Sequence, residues 1–333
     1  MDKRTIALKD PVSVISYANI GGKLESQGPL ADWFDSIETD AFCGLDTWEQ
    51  AESEFQHRCL QQALQKGGLK ESDIDLAFGG DLLNQCIAAT FAMRATGIPF
   101  CGVYGACSTM GESLILSALA IDGGHIRQAV ALTSSHYCTA ERQYRQPVPY
   151  GSQRSPTAQW TATAAGCCIL GRQGDGPYIT HVTPGRIVDL GINDITNMGA
   201  AMAPAAIDTL EATFRATNTV PADYDLIVTG DLGKVGHDIV VDLMGRDGYD
   251  MTQNYDDCGL LLYDRKKQDM HAGGSGAGCS ASVLCGYLLQ GMQRKKWRRM
   301  LFAPTGALLS PTSSFQGESI PGICHAVIFF AEK

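Results

Sequence analysis

The sequence predicts an α/β protein of two similar halves, each built on a mostly parallel five-stranded sheet. Three observations carry that expectation. DIDLAFGGD at 73–81 returns as DYDLIVTGD at 223–231, with Asp73/Asp223, Asp75/Asp225, Leu76/Leu226, Gly80/Gly230 and Asp81/Asp231 matching at an offset of 150. ACSTMGESLILS at 106–117 is echoed by GCSASVLCGYLL at 278–289, where Cys279 answers Cys107. Each half also reads strand, helix, strand or loop, Cys-Ser, buried helix, and two marks repeated in one order point to internal duplication. The halves are expected at 1–190 and 191–333.

Taken in order, 12–18 reads as a strand closed by Gly21 and Gly22, and 28–46 as an irregular stretch carrying Trp33, Phe34 and Phe42. A helical period over 48–65 stops at Gly67 and Gly68. Residues 73–81 suit a buried strand of the parallel type, 84–95 a helix, and a short strand leads through Tyr104, Gly105 and Ala106 to Cys107. Ser108 and Thr109 suit a helix start. Met110, Leu114, Leu116, Leu119 and Ile121 then give the helix apolar faces, and Glu112 is its one charge before Asp122. A helix so uniformly apolar is a buried one. A strand at 129–133 ends at Ser134, Ser135 and His136. The polar insertion TAERQYRQPVPYGSQRSPTAQWT at 139–161 reads as a solvated excursion, with a cap or partner contact as the alternative. Strands at 164–170 and 178–188, a helix at 200–216, the repeated strand and the second buried helix complete the chain.

Composition narrows the function. The 333 residues are 44% hydrophobic with a mean hydropathy of −0.06, as expected of a globular protein with ample core. A net charge of −10 argues against general nucleic-acid binding, which demands a basic face. Twelve cysteines offer no Cys-x-x-Cys pair and no zinc spacing, so free thiols in a reducing compartment and no metal centre are expected. The start MDKRTIALKD has no apolar run, so no signal peptide is inferred. The long uncharged stretch over 271–293 is too rich in Gly and Ser to span a bilayer. The run Arg294-Lys295-Lys296-Trp297-Arg298-Arg299 closes a helix, where cations offset the dipole, with a docking site for anionic lipid as the alternative.

Cys107 stands out by position. At the N-terminus of a buried helix it meets unpaired N–H groups and the positive end of the helix dipole, both of which favour thiolate. The plainer reading is a small core residue.

A duplicated α/β unit with cysteine opening the first buried helix resembles, over nearly the whole chain, the thiolase and ketoacyl-synthase superfamily. The resemblance implies a thiolase-like, five-layered αβαβα fold with two mostly parallel mixed sheets, and a homodimer joined at sheet edges. It puts the acyl-accepting nucleophile on Cys107, and HAGGSGAGCSA places His271, Gly274 and Ser275 on the superfamily's His-x-x-Gly segment. Two elements depart. Where condensing enzymes carry His and thiolases Asn-Glu, this chain has Gly230-Asp231-Leu232-Gly233, so Asp231 takes the imidazole's place. SFQGESIPGICHA at 314–326 keeps Gly317 and Gly322 but lacks the second thiolase cysteine, Cys324 falling within the strand. Condensation must stabilise an enolate, which takes both missing groups.

Within that superfamily, the wording DIDLAFGGDLLNQ, PFCGVYGACSTMGESL, NYDDCGLLLYD, HAGGSGAGCSA and APTGALLSPTSSFQGESIPGI resembles a sporulation family. That resemblance implies a protein needed for dipicolinic acid uptake into the forespore, binding the ligand in a thiolase-type pocket without catalysis or cofactor. Membrane channel subunits would be its partners, and its place peripheral to the inner spore membrane. Cys107, His271, Ser275 and Asp231 would meet the ligand beside Gly274 and Gly322, and Asp81 or Asp231 its calcium if it arrives as a chelate. Helix N-termini and glycine-rich turns bind carboxylates through N–H groups, and a flat ring suits an apolar slot. A cysteine-dependent acyltransferase or ketoacyl-synthase-like condensing enzyme is one alternative; a structural adaptor with a vestigial pocket is another.

Overall fold

The computed structural model describes residues 3–144 and 154–333. Its sheet runs through two rounds of five strands. The first round holds β1 (Ile6–Gly21), β2 (Leu76–Gly80), β3 (Phe100–Gly102), β4 (Gln128–Ser135) and β5 (Ala164–Gly171). The second holds β6 (Tyr178–Thr183), β7 (Leu226–Thr229), β8 (Tyr255–Asp257), β9 (Arg299–Ala303) and β10 (Ala326–Phe330). The spatial orders are β3-β2-β4-β5-β1 and β8-β7-β9-β10-β6, one topology used twice. Even the strand senses repeat. In each round the first two ladders are parallel and the last two antiparallel. The second round begins at Tyr178 and so takes in the strand that a division after residue 190 leaves with the first half.

The two sheets are joined, not merely stacked. β1 is long enough for both: Ile6, Ala7, Val12 and Ser13 pair with β6, and Ser13 to Gly21 with β5. The β6 ladder shifts register between Ala7 and Val12, where Pro11 has no N–H to give.

Helices α1 (Trp48–Gly67) and α2 (Ile87–Arg94) cover the outside of the first round, and α3 (Thr109–Asp122) lies between the sheets. A short α4 (Tyr137–Tyr144) follows β4. α5 (Met198–Thr217) and α6 (Gly233–Arg246) cover the second round, and α7 (Ala277–Val283), continued by turns to Gln293, lies beside α3. Five layers result. The alternation along β4 shows how: Ala129 and Ala131 face the central helices, while Val130 and Leu132 pack on Phe55, Leu60 and Ala63 of α1. On the other side, Met110, Leu114 and Ile121 of α3 share a core with Val228, Phe302 and Phe329. A capping box of Thr47 and Gln50 starts α1, and Gly68 in the left-handed region ends it.

The repeated aspartates do repeated work. Asp73 and Asp223 each accept, at 2.8 Å, a backbone N–H three residues back, from Lys70 and Val220. Asp75 Oδ2 accepts the N–H groups of Arg127 and Gln128 at 2.7 and 3.1 Å, tying the start of β2 to β4. Asp225 Oδ2 accepts those of Arg298 and Arg299 at 2.7 and 2.9 Å, tying β7 to β9 in the same way.

Each carboxylate accepts two solvent-accessible bonds with a net contribution of about 0.5–1.5 kcal/mol apiece, so Asp75→Ala and Asp225→Ala should each destabilise the fold by about 1–3 kcal/mol. Because the two ties lie in separate rounds, the double variant should lose close to the sum. Urea unfolding of the three variants checks this, and losses inside measurement error would contradict it.

Candidate functional site

Cys107 sits in a tight turn, Ala106–Ser108, that runs directly into α3. Ala106 before it has φ +50°, a left-handed conformation that a non-glycine residue adopts at a cost. Ser108 and Thr109 do not cap the helix through their side chains. Ser108 Oγ donates to the Gly105 carbonyl at 2.6 Å and Thr109 Oγ1 to that of Ala106 at 2.7 Å, which locks the turn. The second central helix arrives alongside, with Ser280 Oγ donating to the Cys107 carbonyl at 3.4 Å. Ser275 stands just before that helix, on a short strand Gly274–Ser275 paired with Trp160–Thr161. Its Oγ lies 4.0 Å from Cys107 Sγ.

Behind Ser275 lies Asp231, fully buried. Its Oδ2 accepts Ser275 Oγ at 2.8 Å and the Gly276 N–H at 3.0 Å, and its Oδ1 accepts Thr305 Oγ1 at 2.9 Å. Gly276 is needed there: its φ is +102°, and a Cβ would come within 2.6 Å of Ser135 Oγ.

Comparing the halves explains why this carboxylate is free for the site. Asp81, its counterpart, caps α2: Oδ1 accepts the Leu83 N–H and Oδ2 the Ala89 N–H, both at 2.7 Å. At the start of α6 that duty falls to Asp257, which accepts the Leu232 and Gly233 N–H groups at 2.9 and 3.0 Å. Asp231 therefore turns inward.

The electrostatics reverse one expectation. Burial, then the charge of Asp231 and a hydrogen-bonding contact with it, hold the Cys107 thiol well above its ordinary pKa. Desolvation and a nearby carboxylate outweigh the helix N-terminus, so the resting state is thiol, not thiolate. Burial likewise raises Asp231 to about 6, against the lowering effect of its donors.

Above Cys107 is a narrow cavity walled by Leu82, Tyr104, Tyr144, Met198 and Leu309, with Glu141, Thr161 and Ser275 as polar members. Its envelope is about 420 Å³, but only about 40 Å³ is wide enough to seat the centre of a water molecule. The mouth is held by tyrosines. Tyr104 and Tyr144 hydroxyls lie 2.6 Å apart, and Tyr144 also donates to the Leu82 carbonyl. Among the described lining residues there is no Lys, Arg or His.

Of the predicted site residues, the structure brings together Cys107, Ser275 and Asp231, the last one layer behind the wall. His271 is not in the wall. With φ +49° it turns its ring outward, Nδ1 lying 2.6 Å from the Ser155 carbonyl and Nε2 3.2 Å from Asp269. Asp81 is committed to capping, and Gly322 pairs with Ala307 and Val188 in the β structure beyond the cavity. Gly274 packs against the Tyr263 ring. Sequence reasoning missed Tyr144, Glu141, Thr161 and Thr305. The first three come from the ends of the polar insertion, which are helix and strand, while 145–153 lie outside the described residues.

Comparisons with known proteins fit this geometry. The family model for stage V sporulation protein AD matches residues 2–330. Stage V sporulation protein AD of Bacillus subtilis (strain 168) is 43% identical over 327 residues, covering 98% of this chain and 96% of the relative. Among solved structures, an OleA variant of Xanthomonas campestris aligns with a TM-score of 0.63 at 14% identity, over 98% and 99% of the two chains. A 3-oxoacyl-(acyl carrier protein) synthase III from Xanthomonas oryzae pv. oryzae gives 0.62 at 13%, over 98% and 100%. These structural likenesses show the fold, which is thiolase-like.

Two outcomes follow from the charges. Iodoacetamide near pH 8 should modify exposed Cys101 readily and leave Cys107 unmodified, and Asp231→Asn should speed alkylation of Cys107 measurably, since it removes the charge that holds the thiol's pKa up and leaves the burial in place. Peptide mass mapping over time checks this. Asp231 with its folded pKa raised from 3.8 to about 6 binds its proton more tightly folded than unfolded. Its stabilising contribution is therefore full below about pH 4 and lost as pH rises through about 6, by up to about 3 kcal/mol. Asp231→Asn should remove that slope from a pH series of urea unfolding curves.

Proposed function

The chain belongs to the stage V sporulation protein AD family, and on that premise we propose that it is a non-catalytic binding protein for dipicolinic acid, serving uptake of that acid into the forespore. The observation that carries the reading is the partner of the cysteine. Cys107 faces a buried Asp231–Ser275 pair where an acyl-transferring enzyme needs a base, and Asp231 raises the thiol's pKa instead of lowering it. An ionised Asp231 also opposes the negative charge of an enolate. The 3-oxoacyl-(acyl carrier protein) synthase III shares the architecture with this chain; the reading departs from its chemistry at that pair.

Dipicolinic acid is a flat pyridine carrying two carboxylates. Between the rings of Tyr104 and Tyr144 and the side chains of Leu82, Met198 and Leu309 the cavity offers a largely apolar slot, its polar members being the hydroxyls of Ser275 and Thr161, which donate to Asp231 and Glu141. Typical ligand pockets hold roughly 300–1,000 Å³, so the tyrosine pair must part for the ligand to enter. The wall carboxylate Glu141 disfavours a bare dianion. A dicarboxylate entering as its calcium chelate brings its own compensating charge, and Glu141 supplies the oxygen ligand calcium takes. In this reading the metal is cargo.

The protein works in the same reading as a homodimer beside membrane channel subunits, peripheral to the inner spore membrane. Strand β3 supports the dimer: among the described residues it pairs only with β2, leaving its other edge open for a second copy. No helix among the described residues is long and apolar enough to cross a membrane.

Calorimetric titration with dipicolinate tests the reading. Cys107→Trp and Ser275→Trp should abolish binding by filling the slot, while Cys107→Ala should weaken it by about 1 kcal/mol or less, a thiol being a weak hydrogen-bonding group. Binding should tighten as pH falls from about 7 to about 5, because Asp231 then gains a proton and ceases to repel the carboxylates. The parent protein should form no acyl adduct with acyl-CoA by intact mass and should not cleave acetoacetyl-CoA. Unchanged binding in both tryptophan variants would place the ligand elsewhere, and thiolysis would make the protein an enzyme.

A further inference from the structure

We propose that the corner formed by Arg294, Lys295, Lys296 and Arg298 is a docking surface for an anionic lipid bilayer. The inference deepens the reading above, on which it rests, by naming the face that meets the membrane.

The corner is where the second central helix stops. Lys295 N–H donates to the Met292 carbonyl at 2.9 Å and Lys296 N–H to that of Gly291 at 2.8 Å, closing the last turn. Lys295 takes φ +59° to do so, a position where glycine is least strained and a lysine side chain is kept regardless. A helix C-terminus carries about half a negative charge, so one cation suffices to meet it. Four exposed cations exceed that need.

Their neutralisation is poor. Among the described residues only Lys295 has a carboxylate partner, Glu332 at 2.6 Å. Arg294 lies over the Trp33 ring at 4.7 Å, and Lys296 over Tyr287 at 4.6 Å and Trp297 at 4.4 Å. Arg298 makes no side-chain hydrogen bond or ion pair among the described residues. Arg299 is turned away, between Tyr224 and Phe330. A chain of net charge −10 thus keeps on one corner three cations that form no ion pair among the described residues, Glu332 acting on Arg298 only at longer range, and two of the three are backed by aromatic rings.

The surroundings favour a lipid surface over an acidic peptide. Strand β9, which leaves this corner, is paired on both edges by β7 and β10, so no free edge invites an extended chain. Lys and Arg beside Trp and Tyr are the residues that sit at the headgroup level of a bilayer. The helix from Ala277 to Gln293 spans about 25 Å at 1.5 Å per residue, so docking here leaves the Cys107 cavity uncovered.

Sedimentation with vesicles tests this on the full chain. At low ionic strength the protein should pellet with phosphatidylcholine vesicles containing about 30% phosphatidylglycerol and not with phosphatidylcholine alone, and about 0.5 M salt should release it. Arg294→Gln/Lys296→Gln/Arg298→Gln should lower the partition coefficient roughly a hundredfold, and Arg298→Gln alone about fivefold. Arg294→Lys/Arg298→Lys should keep most of it. No preference for anionic vesicles would overturn the proposal, even if an acidic peptide were captured, and so would unchanged partitioning of the triple and single variants. Dipicolinate titration of the same variants should match the parent. Failure of the parent to bind dipicolinate, with vesicle binding intact, would sink the pocket reading and leave the surface standing.

Discussion

One buried carboxyl group holds the site in its form. Asp231 lies at the meeting point of three segments distant in sequence, the loop after β7, the start of the second central helix and the strand Thr305–Ala307, and accepts a hydrogen bond from each of the last two. A carboxylate without such donors would be too costly to bury. With them it is tolerated, at the expense of a raised pKa, and its field reaches the thiol of Cys107. The floor of the cavity is therefore a neutral thiol and a hydroxyl, Cys107 and Ser275, with the charge one layer deeper.

Duplication supplied that group. Both rounds of the topology carry an aspartate after the second strand, and in the first it satisfies the free N–H groups of a helix. In the second, Asp257 from the end of β8 reaches across to do the same. Once the helix is capped from elsewhere, the original residue is no longer tied to stability and can face a ligand cavity. A helix start cannot be left bare, so the inward turn of Asp231 depends on Asp257 holding the Leu232 and Gly233 N–H groups.

Much of this was legible in the sequence, for a physical reason. Asp73, Asp75, Asp223 and Asp225 bond backbone groups close to their own strand, and such local duties leave the same residue at the same place in both halves. The pattern of 107–121, apolar but for the single charge of Glu112, likewise demanded burial, and the helix lies between the sheets. The site was only partly legible. Cys107 and Asp231 belong to the repeated marks and Ser275 to the segment that the superfamily resemblance supplies, and the structure brings the three together. His271 was misplaced because adjacency to a glycine-rich turn does not say which side of the turn a ring takes, and a left-handed backbone there sends it outward. Tyr144 and Glu141 escaped because a polar composition between 139 and 161 concealed a helix whose buried face closes the cavity. The thiol's state depended on a carboxylate 124 positions away in the chain, which helix-end reasoning alone does not include.

The most direct measurement is the titration of Cys107 itself. Carbon-13 spectra of protein labelled at the cysteine β-carbon, assigned by Cys107→Ala, would follow that thiol as pH is raised from about 6 to about 9, across the ordinary cysteine range. The account predicts a signal that keeps its thiol position over the whole interval, apart from a small displacement below about pH 7 as Asp231 ionises. A titration centred at or below about pH 8, the behaviour of an activated nucleophile, would contradict it.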